Sequence, residues 1–162
     1  MLRIIKILLV VSVAAWGLLG ATENIMDWNG TMSAVGAASS MATFDGGAES
    51  WKATSNAAVI WMGALIIVAG KLGAAVFCGR GALSMWQHRN AEAEAFHASK
   101  YFALVGCGIA MLMLWGGFIV IGETWFEMWR SDLLRDLSLQ SAFRYGGMIT
   151  LIALFVASRE PR

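Results

Sequence analysis

The sequence predicts an all-α integral membrane four-helix bundle, with an additional interfacial amphipathic helix in its second outer loop. Three observations predict it. Hydrophobic residues make up 58% of the 162 and charged residues only 14%, against about a quarter charged in water-soluble domains. The single proline, Pro161, stands at the far end. Four apolar stretches approach or exceed the roughly 20 residues with which a helix crosses a hydrocarbon core. A soluble fold of this size could not bury so much apolar surface, so the bilayer must take some of it. Residues 1–162 leave room for one domain.

The first span runs over about 4–21, with Lys6 close enough to its end to snorkel. Arg3 and Lys6, the apolar run and Gly20-Ala21 together resemble a secretory signal. The run continues past the length of a usual signal core, and a true span is expected. The second span, about 57–78, contains one charge, Lys71. The third, 101–122, has none. The fourth, about 142–158, is the shortest, with Arg144 near its outer end. A cytoplasmic loop, 79–100, and two outer loops, 22–56 and 123–141, join them.

Basic residues orient the chain. Arg3, Lys6, Arg80, Arg89, Lys100, Arg159 and Arg162 collect on one side. Lys52, Arg130, Arg135 and Arg144 fall on the other, among Glu23, Asp27, Asp45, Glu49, Glu123, Glu127, Asp132 and Asp136. Both termini are therefore expected in the cytoplasm. Trp28, Trp51, Trp61, Trp125 and Trp129 cluster near the outer interface, where an amphipathic ring is favoured, and Trp86 marks the inner one.

Within the first outer loop, Met32, Val35, Met41 and Phe44 suggest a short helix lying on the membrane. A turn at Asp45-Gly46-Gly47 is expected to follow it. In the second, Trp125, Phe126, Trp129, Leu133, Leu134 and Leu137 recur at helical spacing between charged residues, which predicts the interfacial helix. Such a helix serves as an anchor or as a docking surface, and Glu123, Trp125, Trp129 and Arg130 are its candidate contacts to a partner or to lipid.

The run Trp115-Gly116-Gly117-Phe118-Ile119-Val120-Ile121-Gly122-Glu123-Thr124-Trp125-Phe126-Glu127-Met128-Trp129, with Ala142-Phe143-Arg144 downstream, resembles a bacterial family described only as predicted small integral membrane proteins of unknown function. The resemblance covers nearly the whole chain. It implies four spans and a bacterial inner membrane, and it brings no catalytic residues. In one place this chain departs from it: family members carry an acidic residue inside the second span, where Gly70-Lys71 stands here.

Lys71 is the strongest single candidate for a site. A charge at that depth costs a few kcal/mol on insertion scales. Its amine either faces the bundle, a wet cavity or a partner, or snorkels to the cytoplasmic interface about seven residues away, roughly 10 Å at the helical rise. No acidic residue lies inside any span to pair with it. His88 and His97 both fall in the cytoplasmic loop, so haem between the spans is not expected. One flexible loop does not fix a metal site, and neither cofactor nor metal is expected. Cys78 and Cys107, in the cytoplasmic halves of successive helices, read as small packing residues. The pairs Gly70/Gly73, Gly106/Gly108, Gly116/Gly117 and Gly146/Gly147 allow close helix approach in lipid.

The near-neutral charge and the lack of a basic cluster exclude a nucleic-acid surface. There is no nucleophile–base pair and no phosphate loop, so an enzyme is not expected. What remains is a non-catalytic accessory or assembly subunit, packed against membrane lipids and a larger complex of respiratory or photosynthetic type. The alternative is a small transporter or a lipid- or quinone-binding protein with its site near Lys71.

Overall fold

The computed structural model describes residues 1–160. Pro161 and Arg162, the latter counted above with the basic side, lie outside the described residues. Helix α1, Leu2–Met26, stops at Asp27, whose carboxylate accepts the Gly30 amide at 3.0 Å and so starts α2, Trp28–Ser40. After a loop containing Gly46 at φ +73, Asn56 accepts the Ala58 amide at 2.8 Å and caps α3, Ala57–Gln87. Its 31 residues extend for about 46 Å at the helical rise, beyond a hydrocarbon core of about 30 Å. A short α4, Ala93–Ala98, precedes α5, Tyr101–Met111, which widens into a π-helix over Leu112–Trp125. The chain returns through α6, Asp132–Leu134, a π segment, Arg135–Leu139, and α7, Gln140–Ala157.

Leu2–Met26, Ala57–Gln87, Ala93–Trp125 and Asp132–Ala157 are long and apolar enough to cross a membrane, and no strand occurs among the described residues. The four-span reading holds. The separate interfacial helix over 123–139 does not. Glu127 turns left-handed at φ 52, a 3-10 turn covers Met128–Arg130, and Ser131 is extended. Residues up to Trp125 therefore belong to the third long helix, and those from Asp132 to the fourth. The helical spacing was genuine, but it runs across two helices. Met128, Leu134 and Leu139 bury against Ala38, Ile119 and Phe126. Trp129, Leu133 and Leu137 stay exposed.

The first outer loop does hold a helix, α2, packed against α1 and α3. Met41 lies just past its end in the left-handed region, and Phe44 lies beyond it. α1, α3 and α5 meet along a seam of small residues, with Ala74, Cys78, Ala103 and Cys107 fully buried. The Cys78 thiol donates to the Ala103 carbonyl at 3.7 Å. A Cβ on Gly81 would sit 2.3 Å from the Ala103 nitrogen, and one on Gly17 2.6 Å from the Lys71 carbonyl oxygen. These glycines set the helix separation.

Both described chain ends and the 88–100 connection share one end of the bundle. Arg3 donates to the carbonyls of Arg89 and Ala91 at 2.9 and 2.6 Å. Lys6 does not snorkel. It is fully buried, and its amine meets Glu160 Oε1 at 2.8 Å, where Lys100 joins at 3.1 Å. Burial raises the Glu160 pKa, but hydrogen bonds from the two ammonium groups outweigh it and hold the carboxyl below its usual range.

Candidate functional site

Lys71 reaches away from that end. Its carbonyl lies beside Gly17, while its amine donates to the Gly20 carbonyl at 3.3 Å and to the Asn24 side-chain oxygen. The stem thus runs toward the C-terminus of α1, whose exposed carbonyls carry partial negative charge. Of the two orientations open to Lys71 from the sequence, the stem takes the one away from the basic end. Asn24 is fixed in turn: its amide donates to Thr31 Oγ1 at 2.8 Å, and the Thr31 hydroxyl donates to the Asn24 carbonyl at 3.1 Å. The α1–α2 junction is therefore built to hold an amide oxygen against the amine. Among the described residues no carboxylate lies within 4.0 Å of the Lys71 amine, and Glu23 acts on it only from a distance.

Lys71 lines, with its partner Asn24, a chamber of about 420 Å³ between α2, α3 and the π-helix. Its walls are mostly apolar. Val35, Ala38, Ile67, Met113 and Phe118 contribute, and Asn24, Thr31, Ser39 and Ser138 add polar groups. Met62, Ile66 and Ile121 line it and are each more than half exposed, so it opens sideways between helices. On the long helix the lining positions are Met113, Gly117, Phe118, Ile121, Gly122 and Phe126. They recur every four or five residues, the register of i→i+5 bonding rather than of an α-helix. The π geometry is thus what turns this strip inward.

The other candidate contacts divide. Trp125 and Arg130 come together in a clasp between the two loops of this end. Trp125 packs edge-on against Trp51 at 5.4 Å. Arg130 donates to the Asp45 carbonyl and to Glu127, each at 3.0 Å, and lies over the Phe44 ring. Lys52 meets the other Glu127 oxygen at 2.8 Å. Hydrogen bonds from Lys52 and Arg130 hold the Glu127 carboxyl below its usual range. Trp129 stays outside this cluster, exposed, and Glu123 forms no ion pair among the described residues. The sequence reading missed Asn24, Thr31, Lys52 and Glu127 as partners. Only Asn24 left a trace, as a polar residue just past an apolar run.

A second cavity, about 760 Å³, is a cleft between α5 with its π extension and α7. Gly108, Gly116, Gly146 and Gly147 line it, with Trp115 and Phe143 exposed beside them. A Cβ on Gly108, Gly116 or Gly147 would meet nothing within 4 Å.

A family described as predicted small integral membrane protein (DUF2165) matches residues 2–159 of the chain. No curated protein and no solved structure matches it.

Proposed function

The chain belongs to the DUF2165 family of predicted small integral membrane proteins, and from that premise we propose that it is a non-catalytic subunit whose cleft between α5 and α7 receives a transmembrane helix of a larger complex. The proposed setting is a bacterial inner membrane with both termini in the cytoplasm, because the basic residues gather at the end that holds α1's start and α7's finish. A respiratory or photosynthetic complex is the proposed host.

The unequal use of glycine carries this reading. In lipid, small residues are useful where they let backbones approach. Gly17, Gly81 and Gly106 do so inside the bundle, where a Cβ added to any of them would fall within 3 Å of a neighbouring backbone atom. Gly108, Gly116 and Gly147 have nothing opposite them, which suits a helix from another chain.

The test is affinity purification in mild detergent from native membranes, with the wild type beside Gly116→Leu and Gly147→Leu. Stoichiometric membrane subunits are expected with the wild type and not with variants that retain their melting temperature. Recovery of the protein alone would end this reading. Recovery of the same subunits with the filled cleft would move the contact elsewhere.

A further inference from the structure

We infer that the chamber beside Lys71 is a binding site for one anionic amphiphile, a molecule with a carboxylate or phosphate head and an apolar chain. This does not depend on the docked-subunit reading, since the cleft and the chamber lie on opposite sides of the π-helix.

An ammonium group has three donors. Here the Gly20 carbonyl and the Asn24 amide take two of them. Both acceptors are neutral, and among the described residues no carboxylate pairs with the amine. Every other lysine of the chain, Lys6, Lys52 and Lys100, meets a carboxylate within 3.1 Å. Charges within a span normally find a partner or line a pathway. An anionic head at the third donor would supply what the chain does not. Thr31 and Ser39 line the opposite wall, but their hydroxyls already donate to the carbonyls of Asn24 and Gly36, which leaves the Lys71 amine as the donor for the head.

About 420 Å³ lies within the range of sites that enclose small ligands, roughly 300–1,000 Å³. Beyond Lys71 the walls turn apolar, and the rim at Met62, Ile66 and Ile121 is exposed where bilayer chains would lie. A tail can thus enter from the side while its head moves toward the amine. Gly63 and Gly122 at the walls are already crowded by Val35 and Met128, whereas a Cβ on Gly117 would meet nothing within 4 Å, so the absent side chain of Gly117 leaves part of the space open.

The test uses the full chain in nanodiscs of zwitterionic lipid, titrated with palmitate, dodecyl phosphate, phosphatidylglycerol and decylubiquinone, and read by native mass spectrometry. One bound anionic amphiphile per chain is expected, with affinity at least tenfold lower in Lys71→Met. Met62→Trp, which keeps the amine and fills the chamber, is expected to lose binding as well. Preference for palmitate would identify a free fatty acid as the source of the head, and preference for phosphatidylglycerol a bilayer lipid. Equal binding by wild type and Lys71→Met overturns the proposal, as does a preference for the uncharged quinone. Both variants are compared with the wild type by thermal melting. If either unfolds, the preference of the wild type for anionic over neutral probes decides alone.

Discussion

At the scale of single residues, the charges show where sequence stops being informative. Lys6 and Lys71 look alike in the sequence, each a lone cation near or within an apolar run. Lys6 finds Glu160, 154 positions away, and Lys71 finds only neutral oxygens. The Glu160 site makes a prediction. Removing one member of a buried ion pair costs about 3 kcal/mol, and Glu160→Gln leaves the buried amines of Lys6 and Lys100 without their carboxylate. Because the folded pKa lies below the ordinary value, about 4.3, the contribution is complete above that value. It is lost as pH falls through the folded pKa. The melting temperature of the wild type should exceed that of Glu160→Gln near neutrality, and the two should converge in acid. A gap independent of pH would show that the carboxylate is not what stabilises this end.

At the scale of elements, the glycines separate into two kinds that sequence spacing cannot distinguish. Gly81 lies against the Ala103 backbone, whereas Gly147 faces open space. Gly81→Leu must push α3 from α5 and should cost at least the 1–3 kcal/mol typical of overpacking. Gly147→Leu should leave the melting temperature of the isolated chain unchanged. Melting both variants in the same detergent checks this, and equal destabilisation would contradict the assignment of Gly147 to a vacant cleft. The 123–139 region teaches a related lesson. Trp125, Trp129, Leu133 and Leu137 keep helical spacing, but the break at Glu127 leaves Trp125 at the end of one long helix, Trp129 in the turn, and Leu133 and Leu137 in the next helix. Glutamate is not a residue whose type announces a positive φ. The clasp of Lys52, Trp51, Asp45 and Arg130 around that point secures the break.

At the scale of the whole molecule, the clasp is what joins the two loops of one end across the bundle. Lys52→Ala with Arg130→Ala should speed limited proteolysis within 41–56 while leaving the spans uncut, and raised salt should act in the same direction on the wild type by screening. A cleavage rate unchanged by both treatments would assign the loop's order to Met41 and its neighbours instead. The spans, and the division of the chain between two ends, were legible in the sequence because a bilayer imposes length and apolarity on each crossing segment separately. Basic residues and tryptophans mark the ends in the same local way. The chamber, the cleft and the partners of each lysine follow instead from the packing of α2 against α3, from the π register of Leu112–Trp125, and from contacts such as Lys6–Glu160 between the first helix and the last residues described. Those depend on packing between segments distant in the chain, which no local pattern encodes, so only the tertiary structure decided them.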